Sequence, residues 1–226
     1  LIVIKTAAAV TAAYLFGSIN FAIIFTRMVR GEDIRTLGNK NPGASNMGRI
    51  VGRGWGILVL VLDALKSIIV ILPARIWFFN QGGTLDYGVL YLMGIIAVLG
   101  HIFPIWYNFK GGGGVSTMLA VSLWFVPLEI LISLLTGGLL ALAFMRNKGN
   151  WLTQWSPIFF ITLTPFLTLG VNLSFNIPIW KRVSLGGHPW TVVAGCFALS
   201  LMMLGLNYRL VKAKATGGGW EKHETI

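Results

Sequence analysis

The sequence predicts an all-α integral membrane protein of about seven transmembrane helices, one of them short or half-spanning, with Gly/Asn-rich loops on the cytoplasmic side. Three observations carry this. Of 226 residues, 55% are hydrophobic and only 11% charged, whereas soluble domains average about 25% charged. The mean hydropathy is +0.75, and a chain of this size has too little interior to hide so much apolar surface. The apolar residues also fall into seven runs separated by short polar connections.

The elements follow in order, each judged against the roughly 20 apolar residues needed to cross about 30 Å of hydrocarbon. The first run spans Ile2 to Phe25, interrupted only by Lys5. Its Ala-rich stretch Ala7–Ala13 also suits a signal-peptide cleavage site, but the apolar run continues well past those alanines, so it is read as a span. The second runs from Trp55 to Phe79 and the third from Tyr87 to Phe103. Val115 to Val126 is short, ends at Pro127, and reads as a tilted or half-spanning helix opening from a glycine run. Leu128–Met145, Trp155–Leu173 and Trp190–Leu206 complete the set.

Orientation follows from the basic residues. Thirteen of the 18 Lys and Arg lie in alternate connections: Arg27 to Arg53, around Lys110, Arg146 to Lys148, and after Tyr208. Four (Lys5, Arg75, Lys181, Arg182) lie on the other side, and Lys66 falls within the second span. The basic side is therefore expected to be cytoplasmic and the N-terminus outside. Residues 1–211 read as a single polytopic membrane domain, and 212–226 as a polar, mobile tail. The net charge of +11 and pI of about 10.2 would suit a nucleic-acid binder, but the apolar content excludes a soluble one. No nucleic-acid partner is expected. One cysteine excludes a disulfide framework, and three scattered histidines argue against a zinc cluster; no metal and no cofactor is expected.

Three polar constellations need explaining. The loop Gly31–Arg53 holds Gly38, Asn39, Asn41, Gly43, Ser45, Asn46, Gly48 and Arg49, a dense donor array suited to a phosphate. The same composition also suits an ordinary turn. Asp63 and Lys66 lie three apart on one helix face inside the second span. Buried charges in a membrane point to function by default, although a neutral pair locking two helices would look the same. Gly100-His101, Pro104 and then Phe109-Lys110-Gly111-Gly112-Gly113-Gly114 precede the short helix; consecutive glycines before a helix N-terminus can wrap an anion. The run is no Walker motif, since no Lys-Ser or Lys-Thr follows it. Gly-x-Ser-x-Gly and His-Glu-x-x-His are absent, and Cys196 reads as inert packing.

These constellations, in this order, resemble the acyl-phosphate-dependent glycerol-3-phosphate acyltransferases of bacterial membranes. The resemblance rests on Gly17-Ser18-Ile19, Asp33-Ile34-Arg35, Gly38 to Arg49, Leu62-Asp63-Ala64-Leu65-Lys66, Gly100-His101-Ile102-Phe103-Pro104 and Phe109-Lys110-Gly111-Gly112. It implies transfer of a fatty acyl group from acyl phosphate to the 1-hydroxyl of glycerol-3-phosphate in phospholipid synthesis, at the bacterial cytoplasmic (inner) membrane. The implied partners are those two phosphates and membrane lipid. Arg49, His101 and Lys66 would be catalytic, His101 as a candidate proton relay. Asn41 and Asn46 would hold one phosphate together with Arg49, with Gly43 shaping the backbone. Ser18, Asn39, Ser45 and Asp63 would also face substrate, and Lys110, Gly111, Gly112 and Gly114 would form a second cradle. The chain departs from the family pattern where Gly113 replaces a lysine, Asn39 a serine and Lys40 a glycine. It departs again at Tyr208–Ala213, where the family has His-Arg-Glu-Asn, and the match is poor around Asn150–Thr153. Two other readings stay open: a relative that binds phosphorylated ligands or lipid-synthesis partners without this chemistry, and a small membrane transporter.

Overall fold

The computed structural model describes residues 2–80, 82–147, 155–174 and 188–207. The predicted tail at 212–226 and the family departures at 150–153 and 208–213 lie outside them. Among the described residues there are nine α-helices and no strand. Five helical stretches are long and apolar enough to cross a membrane: Ile2–Arg30, Arg53–Trp77, Thr84–Tyr107, Pro127–Met145 and Ser156–Leu173. Val115–Phe125 and Trp190–Leu206 are apolar but shorter. Polarity is inverted relative to a soluble fold. Leu135 and Leu139, one helical turn apart, are 70% and 64% exposed, whereas Asp63 and Lys66 are 0% and 2% exposed. Lipid solvates the leucines, and only the protein interior can hold the charges.

The helices divide into two compact units. In the first, α1 (Ile2–Gly17) and α2 (Phe21–Arg30) together cover the single predicted span Ile2–Phe25, with a break between them. The break has a local cause. The Ser18 hydroxyl donates to the Tyr14 carbonyl at 2.8 Å, and the Asn20 side chain caps α2 by accepting the Ile23 N–H at 3.0 Å. Ser18 and Asn20 are too few to interrupt the apolar run over a window of about 20 residues, so averaged hydropathy does not register the break. A 3-10 turn (Ile34–Thr36) and α3 (Ala44–Ile50) follow, then α4 (Arg53–Trp77). Ala22, Ile23, Ile34, Met47 and Val59 form one buried cluster joining these elements. The later part of α5 (Thr84–Ile102) belongs to the same unit, as do the 3-10 turn Ile105–Tyr107 and the start of α6 (Val115–Phe125). Gly17 and Gly100 let α1 and α5 cross backbone to backbone: a Cβ on Gly100 would lie 2.9 Å from the Ser18 nitrogen.

The second unit contains the start of α5 with α7 (Pro127–Met145), α8 (Ser156–Leu173) and α9 (Trp190–Leu206). Gly137 brings α7 against the Phe160 backbone of α8. The Tyr91 hydroxyl donates to Cys196 Sγ at 3.2 Å, and the cysteine is buried. Buried Glu129 pairs with His188 Nε2 at 2.8 Å.

Candidate active site

The site is built in the first unit around Lys66. Asp63 and Lys66 share the buried face of α4 with Val59, Ser67 and Val70. The predicted contact is present: Lys66 Nζ lies 3.0 Å from Asp63 Oδ1. Nζ also lies 2.8 Å from the Ile19 carbonyl and 2.8 Å from His101 Nδ1. Ile19 lies between α1 and α2, in neither helix, and its carbonyl accepts the Lys66 ammonium instead of an intrahelical donor. Thr117 Oγ1 donates to the Asp63 carbonyl at 2.9 Å, tying α6 to α4.

An ammonium has three protons and no acceptor, and three acceptors surround this one. With Lys66 charged, His101 Nδ1 accepts a hydrogen bond from Nζ, and a neutral imidazole then carries its own hydrogen on Nε2. Nε2 faces Gly112, where a Cβ would collide with it and would sit 2.7 Å from the Pro42 carbonyl oxygen. Gly112 is thus the point where the two glycine-rich loops meet over the buried cluster. In this arrangement His101 presents a donor toward the loops.

The first loop is organised from within. Asn46 is buried, and its Nδ2 donates to the Leu37 carbonyl at 3.0 Å while its Oδ1 accepts the Asn39 N–H at 3.2 Å. Its amide therefore holds the loop and is not directed at a phosphate. Gly38 (φ 51) passes so close to Asn46 Oδ1 that a Cβ would meet it at 2.5 Å. Asn39 Oδ1 accepts the Asn41 N–H at 3.0 Å, and Asn20 Nδ2 donates to the Pro42 carbonyl at 3.1 Å. Lys40 adopts φ 60, which costs a non-glycine residue about 1 kcal/mol or more. Gly43 is extended (φ −147), and the nearest atom to a Cβ there is Asn41 Nδ2 at 3.5 Å. Its backbone does not require glycine. Ser45 and Arg49 are exposed on α3, and Asn41 is half-buried. Ser18 is fully buried, with its hydroxyl donated to its own helix.

The second loop differs from the predicted cradle in one respect. The Gly111 N–H donates to the Ile102 carbonyl at 3.0 Å and the Gly112 N–H to the His101 carbonyl at 3.1 Å. These amides satisfy the end of α5 and are not aimed at an anion. Gly114 (φ 80) makes the left-handed turn into α6, whose Met118 N–H donates back to it at 2.9 Å. Lys110 is exposed at the loop entrance.

Sequence reasoning did not single out Asn20, Thr117 or the Asp33–Arg35 pair as parts of this site. Asn20 carried a signal, being a polar side chain inside an apolar run. Arg35 donates to both Asp33 oxygens, Nε to Oδ1 at 3.0 Å and Nη2 to Oδ2 at 2.7 Å, and Arg27 adds a bond at 2.8 Å. The Arg35 guanidinium holds the Asp33 carboxyl well below the usual carboxylate range, and the carboxylate in turn raises Arg35.

Apolar helices and, in the first unit, a buried Asp–Lys–His cluster with two glycine-rich loops meeting above it define a polytopic helical membrane protein with a buried polar centre. The sequence pattern of the glycerol-3-phosphate acyltransferase family matches residues 7–213. The chain belongs to that family. It is 44% identical over 127 residues to the glycerol-3-phosphate acyltransferase of Anaeromyxobacter dehalogenans (strain 2CP-1), covering 55% of this chain and 61% of that protein. To the Myxococcus xanthus (strain DK1622) protein of the same name it is 44% identical over 123 residues, covering 54% and 61%. The chain thus spans about three fifths of the length of these relatives. It is similar to the crystal structure of PlsY (YgiH), an integral membrane glycerol 3-phosphate acyltransferase, in its glycerol 3-phosphate form. The TM-score is 0.73 with 27% identity, over 94% of this chain and 92% of that one. The lysphosphatidic acid form of PlsY gives a TM-score of 0.65 with 26% identity over the same shares.

Proposed function

We propose that the chain transfers a fatty acyl group from acyl phosphate to the 1-hydroxyl of glycerol-3-phosphate. The bond from the acyl carbon to the phosphate oxygen breaks and a bond to the glycerol oxygen forms. The hydroxyl proton leaves with the phosphate, so the products are lysophosphatidate and inorganic phosphate. The observation that carries this reading is the meeting of both loops at Gly112, beside His101 Nε2 and the Pro42 carbonyl, in a member of this family. The acyl phosphate is already activated, so the protein has mainly to hold two anions in reacting geometry, which can remove several kcal/mol of barrier. Asn41, Ser45, Arg49 and Lys110 would hold phosphate, their side chains being half-buried or exposed on the two loops and α3. Asp63 and Lys66 fix His101 from beneath, and the His101 Nε2–H donates to the oxygen that gains charge. The glycerol 3-phosphate and lysphosphatidic acid forms of PlsY support the choice of acceptor and product class.

The proposed setting is the bacterial cytoplasmic membrane, with the N-terminus outside and both loops inside. A Gly43→Cys variant that reacts with an impermeant thiol reagent only from the cytoplasmic side is expected; reaction only from outside would reverse the orientation. Purified protein given acyl phosphate and glycerol-3-phosphate should release lysophosphatidate and phosphate in equal amounts. Gly113, standing where the family pattern has lysine, favours one second reading, binding of a phosphorylated ligand without transfer. Thermal stabilisation by glycerol-3-phosphate with no product would select it.

A further inference from the structure

We propose that Arg35 is a positioning residue that straps the two glycine-rich loops together and so sets the spacing of the phosphate-bearing substrates; the inference rests on the acyltransfer reading above. Arg35 sits in the 3-10 turn Ile34–Thr36, near the start of the first loop. Its Nη1 donates to the Tyr107 carbonyl at 2.9 Å and approaches the Lys110 carbonyl at 3.4 Å, the residue just before Gly111. One guanidinium therefore touches the root of each loop, across 72 and 75 residues of sequence.

The strap is held at its near end. Asp33 caps the turn by accepting the Arg35 N–H at 3.0 Å, takes Nε and Nη2 of the same side chain on its two oxygens, and is steadied by Arg27. The fork is thereby fixed in plane and Nη1 is left to point across. At the far end the chain needs holding. Asn108 and Phe109, between the two accepting carbonyls, adopt φ 55 and φ 58, left-handed backbone that persists only when its surroundings impose it. Only arginine can make these contacts together, because lysine offers a point charge without a planar fork.

The test uses the full chain in lipid nanodiscs, comparing wild type with Arg35→Lys and Arg35→Gln. Hydrogen exchange across residues 107–114 should speed at least about tenfold in Arg35→Gln while α4 is unchanged, and Arg35→Lys should fall between. In the transfer assay kcat should drop about tenfold or more, the order of loss that slight misplacement of reactants produces, with a smaller change in KM. If Arg35→Gln does not fold, Arg35→Lys alone carries both readouts. Exchange at 107–114 equal to wild type, or acceleration spread evenly over α4 as well, would overturn the strap. If wild type itself makes no lysophosphatidate, the acyltransfer reading fails on its own, and the exchange data still decide whether Arg35 holds the loops.

Discussion

Lys66 meets His101 at its Nδ1 edge. Its ammonium lies 2.8 Å from Nδ1, closer than the 3.6 Å between Nδ1 and Asp63 Oδ1, and its other two bonds go to Asp63 and Ile19. The ring hydrogen should therefore sit on Nε2. Nitrogen-15 NMR of ring-labelled protein, with His101→Gln identifying the signal among three histidines, should show that tautomer in wild type. Lys66→Met should redistribute it. A proton on Nδ1 in wild type would reverse the assignment of His101 as a donor to the loops.

The same cluster makes a stability prediction. Lys66→Met removes the cation and leaves a carboxylate that is 0% exposed without its ammonium, a change that typically costs about 3–5 kcal/mol. Adding Asp63→Asn removes the stranded charge, so the double variant should melt at a higher temperature than the single one. Equal melting temperatures would mean that Asp63 is not ionised in the folded protein.

Glycines in the two loops should differ in tolerance. Gly112→Ala pushes a methyl group into His101 Nε2 and to 2.7 Å from the Pro42 oxygen, so it should abolish transfer while the helix content by circular dichroism is kept. Gly43→Ala meets only Asn41 Nδ2 at 3.5 Å and should keep activity within about threefold, an effect under 1 kcal/mol. The reverse order would move the functional contact to the first loop.

The parts that sequence revealed are those set by local periodicity. Asp63 and Lys66 share a face because three residues is nearly one helical turn, and their apolar surroundings marked them as buried. The α1–α2 break was hidden because it depends on side-chain bonds from Ser18 and Asn20, to which hydropathy is blind. Asn46 looked like a ligand donor because an asparagine can satisfy backbone groups or a phosphate equally well, and only the fold reveals which. The Arg35 contacts join residues more than 70 positions apart, and no pattern within one sequence encodes such a pairing.

The acid response of the first unit follows from Asp33. Its folded-state pKa lies below the value of about 3.9 in unfolded chains. Its contribution to stability is therefore full above pH 4 and is lost only as pH falls toward the depressed value. The difference in melting temperature between wild type and Asp33→Asn should stay constant from pH 8 to pH 5 and shrink below pH 4. A difference that already shrinks between pH 7 and pH 5 would mean that some other group controls the strap.

Position 113 decides how the chain manages without the lysine of the family pattern. Gly113 is half-buried between Gly112, packed against His101, and Gly114, where the left-handed turn occurs. A lysine there should be accepted by the backbone and add one charge-assisted contact to phosphate, worth about 1.5–3 kcal/mol. Gly113→Lys should then raise kcat/KM about tenfold to a hundredfold. No change would indicate that another cation already occupies the role. Lys40, held at φ 60 in the first loop, and Lys110, exposed at the entrance of the second, are the two that can reach. Lys40→Met and Lys110→Met separate them: the one in that role should lose at least tenfold in kcat/KM, and Gly113→Lys should restore it. Loss in neither, together with no gain from Gly113→Lys, would leave phosphate binding to Arg49 and the neutral donors.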